Sequence, residues 1–140
     1  MELDKEKIYS KIQIIEDNIK KLEELKTFSL ENFMKDFRNI ESAKHLFQRA
    51  IEAMVDIAMH IIARLRLLTP SSSVEAIKIL VENKIIPSEN QERYYQMIKF
   101  RNRLVHFYHK IDTNELYQIL QNNLSDFKKF LRDIQSILSR

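Results

Sequence analysis

The 140-residue sequence contains no glycine, no cysteine and only two prolines. Without glycine there can be no glycine-rich phosphate loop and no dinucleotide fingerprint, because their tight turns and close backbone approach need that residue. Without cysteine there are no disulfides, thiolate zinc sites or cysteine nucleophiles, which suits a reducing compartment. No apolar run reaches membrane-spanning length before a charge interrupts it, and the opening Met-Glu-Leu-Asp-Lys-Glu-Lys has no apolar signal core. Strand patterns, internal repeats and low-complexity segments are missing too. The expectation is one cytoplasmic domain, residues 1–140, large enough for a core without staples.

What remains is helical periodicity. From residue 4 to about 26, Ile8, Ile12, Ile15, Ile19 and Leu22 recur in steps of four and three, the seam of a helix packed along its whole length. Thr27 and Ser29 offer cap oxygens for a short turn through Leu30, Phe33 and Met34. The longest helix spans about residues 37 to 65, with a broad apolar face running from Ile40 through Phe47, Ile51, Met54 and Ile57 to Leu65. Pro70 breaks the chain, and Ser72 with Glu75 has capping-box spacing for a helix that ends at Ile85-Ile86-Pro87. Ser88 with Gln91 repeats that opening signal, and Asp112 with Glu115 opens a last helix whose seam runs from Leu116 through Leu124 and Leu131 to Leu138. These spans predict an all-α, up-and-down bundle of four long helices, with short additional helices, one of them inserted before the third long one.

The polar stripe of the longest helix holds His45, Arg49, Glu52, Asp56 and His60. Glu52, Asp56 and His60 recur every fourth residue and could face one ion. A solvated or salt-bridged stripe explains them more simply, and the Glu-x-x-His spacing of carboxylate-bridged metal bundles is absent. No metal and no cofactor is expected.

Residues 100–110, Phe-Arg-Asn-Arg-Leu-Val-His-Phe-Tyr-His-Lys, depart from this ordinary pattern. At about 100° per residue, Tyr94, Met97, Ile98, Phe100, Leu104, Val105, Phe107 and Tyr108 fall on an apolar half, and Lys99, Asn102, Arg103, His106, His109 and Lys110 on a polar half. Arg101 falls inside the apolar arc, where a guanidinium that cannot lose its proton needs partners or a route to water. It either pairs with a core carboxylate such as Glu52 or Asp56, or it is held there for an anion. His106 and Tyr108 follow within two helical turns, so one short stretch carries groups that bind a phosphate, move a proton near neutral pH and donate a hydrogen bond. On a straight helix His106 would project roughly 140° away from Arg101. The helix must end or bend near His106, or a second chain must complete the site across a two-fold axis. A formal charge of +3 and a sequence pI near 9.1, with Lys99, Arg101, Arg103 and Lys110 close together, permit an anionic partner such as RNA or a nucleotide without demanding one.

The run from Arg101 to Tyr108 has the form Arg-x4-His-x-Tyr with a polar residue, Asn102, directly after the arginine. With the chain length, the helix pattern and the helix segment Ala-Ile-Glu-Ala-Met-Val-Asp-Ile-Ala-Met-His-Ile-Ile at residues 50–62, it resembles the HEPN superfamily, specifically the HepT-like toxins, over roughly residues 4 to 138. That resemblance implies a metal-independent endoribonuclease acting on RNA such as tRNA or mRNA. It implies a homodimer in which Arg101 and His106 of both chains meet; independently, Asn102 and Tyr108 are expected in support, and the basic Lys99, Arg103 and Lys110 around them as RNA phosphate contacts. It also implies a partner, a nucleotidyltransferase antitoxin of the MNT type that attaches AMP to Tyr108. Read without the family, Tyr108 is a core aromatic with a hydrogen-bonded hydroxyl. His45, His60 and His109 receive no catalytic role. Two other readings stay open: a non-catalytic nucleotide- or RNA-binding accessory module, and a helical interaction protein in which Arg101 is an interfacial salt-bridge residue.

Overall fold

The computed structural model describes residues 3–140, so the first two residues of the charged N-terminal stretch lie outside the described residues. Seven α-helices follow one another: α1 (Lys5–Lys26), α2 (Leu30–Lys35), α3 (Phe37–Arg64), α4 (Ser73–Glu82), α5 (Gln91–His106), α6 (Thr113–Asn122) and α7 (Leu124–Leu138). Short 3-10 turns over Ser88–Asn90 and Tyr108–Lys110 lead into and out of α5. Helix starts follow the expected cap chemistry in most places. The side chains of Asp4, Ser29, Ser72 and Asp112 accept hydrogen bonds from the backbone N–H groups of Lys7, Asn32, Glu75 and Asn114. The Ser88–Gln91 signal is the exception, because α5 begins after Asn90 with no side-chain cap.

The long helices alternate in direction. Lys11 of α1 pairs with Asp56 of α3 at 2.9 Å, and the backbone N–H of Asp4 donates to His60 Nε2 at 3.3 Å, so the start of α1 lies by the end of α3. These separate partners account for two members of the Glu52–Asp56–His60 stripe. Glu52 accepts from Gln48 within its own helix. Among the described residues no group of three or more His, Asp or Glu could hold a metal ion. The core is continuous, running from Ile8, Ile15 and Leu22 through Phe47, Ile57 and Ile61 to Tyr94, Ile98, Phe127 and Ile134. Tyr94 is fully buried with its hydroxyl donating to Asp133 at 2.6 Å; burial and the carboxylate hold that phenol far above the ordinary tyrosine range.

The expected fourth long helix is two helices, interrupted at Asn123. The apolar seam runs through the break, with Leu120, Leu124 and Phe127 all buried, so periodicity does not mark it. What stands at the break is a pair of residues with poor helix propensity, Asn122 and Asn123, the second of which donates its side-chain amide to Asp126 Oδ2 at 3.2 Å. Of the short helix through Leu30, Phe33 and Met34 only Phe33 is buried, and Leu30 and Met34 are exposed.

Lack of glycine shows at two helix ends. Arg66 (φ 56°) and Lys84 (φ 58°) adopt the left-handed conformation just past α3 and α4. At each, the next two backbone N–H groups close the same motif: Arg66 to Ala63 O and Leu67 to Ile62 O, Lys84 to Val81 O and Ile85 to Leu80 O. A side chain at such a position costs about 1–2 kcal/mol, against which glycine's extra freedom in the unfolded chain weighs about 0.5–1 kcal/mol. Lys84→Gly is therefore expected to raise the free energy of urea unfolding by roughly 0.5–1 kcal/mol; a loss of stability would show that the lysine side chain does more at the turn than stop the helix.

Candidate active site

α5 carries the predicted residues, and it ends at His106. Phe107 leaves the helix (φ −134°, ψ 39°) while its N–H still donates to Arg103 O at 2.8 Å, and the 3-10 turn Tyr108–Lys110 folds back toward α3. The contact that receives this turn is made by Lys44. Its ammonium donates to the main-chain carbonyl of Tyr108 at 3.0 Å and stands 4.3 Å from the centre of the Tyr108 ring. Lys44 is 6% exposed and makes no ion pair among the described residues.

Arg101 lies half-buried against the start of α4, its Nη2 donating to Ser73 Oγ at 3.1 Å. Its Nε is buried with no hydrogen-bond partner among the described residues. The carboxylate reading of this arginine is thus overturned: Asp56 is taken by Lys11, and Arg101 makes no ion pair among the described residues. The guanidinium, charged at every accessible pH, is thus held by one neutral hydroxyl, with its buried Nε left without a partner. Asn102 beside it is half-buried, and His106 is exposed at the helix end. Arg101 and His106 share α5 but no hydrogen bond joins them.

The other predicted residues separate by circumstance. Arg103 forms a two-pronged ion pair with Glu115 (2.9 and 2.6 Å) and lies over the Phe100 ring; this bond holds the Glu115 carboxyl below its ordinary range. Lys99 and Lys110 are exposed and make no ion pair among the described residues. Lys99 and Arg103 border a groove of about 620 Å³ between α5 and the α6–α7 break, floored by Phe47, Ile51, Phe100 and Phe127. Val105 and Phe107, assigned to the apolar half, are instead 44% and 55% exposed, because α5 ends before Phe107 and its last turn clears the core. Tyr108 is half-buried, with its hydroxyl donating to the Glu41 carboxylate.

Glu41, Lys44 and Ser73 escaped the sequence reading. Lys44 carried a usable signal, since it lies three before Phe47 and seven before Ile51, on the apolar arc of its helix. It is the same anomaly that drew attention to Arg101.

Among its described residues, the all-helical bundle sets in one short stretch an arginine without a carboxylate partner, a turn held by an unpaired lysine and a histidine exposed at the helix end. Comparison with known proteins specifies the class. The sequence profile of the HepT-like family, ribonuclease HepT-like, matches residues 15–134. The mRNA nuclease HepT of Shewanella oneidensis is 30% identical over 129 residues, covering 92% of this chain and 96% of that protein. The tRNA nuclease HepT of Aphanizomenon flos-aquae is 26% identical over 131 residues, covering 94% and 89%. A solved structure of the tri-AMPylated S. oneidensis HEPN toxin in complex with MNT antitoxin matches with a TM-score of 0.85 at 29% identity, covering 93% of this chain and 97% of that one. The chain belongs to the HepT-like family of ribonucleases. Among its described residues no helix is long and apolar enough to cross a membrane.

Burial first, and the Glu41 hydrogen bond second, push the Tyr108 phenol up to about 12. The unfolded chain titrates a tyrosine near 10, so the native state holds this proton more tightly. Its contribution to stability is complete below pH of about 10 and is lost as pH rises toward 12. The difference in phenolate absorbance between wild type and Tyr108→Phe should show a step near 12; a step near 10 would mean that the phenol is not tied to Glu41.

Proposed function

We propose that this chain is the toxin of a toxin–antitoxin pair, a metal-independent endoribonuclease that works in the cytoplasm as a homodimer. The observation that carries the reading is the half-buried Arg101, charged at every accessible pH, with no carboxylate partner and an unused Nε. In this reading the guanidinium takes the scissile phosphate bidentately, and Asn102 helps to position it. His106 accepts the proton of the ribose 2′-hydroxyl as that oxygen attacks the phosphorus, and His106 of the partner subunit protonates the departing 5′-oxygen. Two chains are invoked because Arg101 faces α4 while His106 faces solvent at the helix end. Val105 and Phe107, exposed on either side of His106, supply apolar surface for the two-fold contact. Lys99 and Lys110 hold flanking phosphates; Arg103 joins them only by releasing Glu115.

The same reading includes an MNT-type nucleotidyltransferase antitoxin that transfers AMP to Tyr108. The AMPylated HEPN toxin among the matched structures supports it, as does the open approach to the Tyr108 hydroxyl, whose acceptor Glu41 is exposed. An added phosphate on Tyr108, on the turn directly after the helix that carries Arg101 and His106, would put a competing anion in the path of the substrate and halt cleavage.

Cleavage of labelled tRNA and single-stranded RNA by purified protein in EDTA is the direct test. Wild type should cut, and Arg101→Ala and His106→Ala should each lose about 100-fold or more in rate at unchanged thermal stability. Full activity in His106→Ala would remove it from the mechanism, and tight RNA binding without any cleavage would favour the accessory-module reading. Sedimentation of the wild type should give a two-chain mass at micromolar concentration; a single-chain mass in a cleaving sample would dispose of the composite site.

A further inference from the structure

α3 presents two charged side chains to the turn after α5. Glu41 and Lys44 are three residues apart and so lie on one face of the helix. They grip different parts of the same residue: the Glu41 carboxylate accepts from the Tyr108 hydroxyl, and the Lys44 ammonium holds the Tyr108 carbonyl and lies against its ring. Glu41 faces solvent, whereas Lys44 is buried without a counter-ion among the described residues. A buried, unneutralised ammonium is costly unless an anion can come to it.

We propose that Glu41 is the proton acceptor when a nucleotidyl group is transferred to Tyr108, and that Lys44 is the fixed cation beside the phosphate so installed. The proposal rests on the reading of Tyr108 as the AMP acceptor. In the step, the Tyr108 oxygen forms a bond to the α-phosphorus of a nucleoside triphosphate. Its proton passes to the Glu41 carboxylate, the bond from that phosphorus to the bridging oxygen of the β-phosphate breaks, and pyrophosphate leaves with the electron pair. Phenolate is scarce at neutral pH because burial and the hydrogen bond keep the proton on the oxygen, so the proton has to leave during the transfer itself. Glu41 already sits on the atom that must lose it. Once the phenol is esterified, the phosphodiester carries a negative charge beside Lys44, and no other ammonium or guanidinium contacts the Tyr108 ring among the described residues.

The experiment is transfer of label from radioactive ATP to the full chain by its cognate MNT-type nucleotidyltransferase, with the modified residue located by mass spectrometry. Wild type should be labelled at Tyr108. Glu41→Gln, which keeps the size and an acceptor oxygen, should be labelled about 100-fold more slowly or worse, while its cleavage of RNA before modification stays within about threefold of wild type. Glu41→Ala should regain transfer when formate is added, a rescue that a purely structural role would not give. Lys44→Met should also slow labelling. Wild-type labelling at Tyr108 with an equal rate in Glu41→Gln would overturn the role of Glu41 and leave the acceptor reading standing. Absence of label at Tyr108 in wild type would overturn both.

Discussion

The antiparallel contact of α3 with α5 is the constraint on which the site depends. Phe47 of α3 meets Phe100 of α5 edge to face at 5.7 Å and stacks with Phe127 of α7 at 6.3 Å, so three helices are registered by one aromatic side chain. That register brings the first turns of α3 level with the end of α5. Lys44 then reaches the Tyr108 carbonyl, and Glu41 its hydroxyl. The turn after α5 has neither proline nor glycine to shape it, and these two side chains of a neighbouring helix do the shaping instead. Ser73 plays the corresponding part for Arg101 from the start of α4.

Carboxylates are plentiful in the chain, with 20 Asp and Glu against 23 Lys and Arg, yet they are spent elsewhere. Asp56 pairs with Lys11, Asp126 with Arg93, Glu115 with Arg103 and Glu23 with Lys128. Arg101, half-buried, and Lys44, buried, receive only neutral oxygens among the described residues. Under the proposed function, stability given up at such positions would be recovered when the substrate phosphate binds.

Much of this was legible beforehand because helical periodicity in a chain without glycine leaves few alternatives. The starts of α4 and α6 were readable from Ser72 and Asp112, which act on their own backbones. Arg101 was conspicuous because a permanent charge on an apolar arc violates a rule that local sequence can state. The division of α6 from α7 was hidden because Leu116, Leu120, Leu124 and Phe127 keep their spacing through Asn123. Partners were not legible at all. That Arg101 meets Ser73, 28 residues away, and Tyr108 meets Glu41, 67 away, follows from the crossing of helices, which spacing along the chain does not encode.

The grip on Tyr108 also divides into an anchor and a latch. Lys44 holds the main chain through a carbonyl that no side-chain chemistry can alter, while Glu41 holds the ring through a single hydroxyl hydrogen. Whatever group replaces that hydrogen, the latch has nothing left to fasten, and the carboxylate that accepted it turns from a holder into a repeller of any anion attached there. Lys44 would then be the remaining hold on the residue, through its carbonyl and its ring, and would keep the turn docked on α3. A change confined to one hydroxyl hydrogen would thus loosen the side chain of Tyr108 without undoing the turn that carries it.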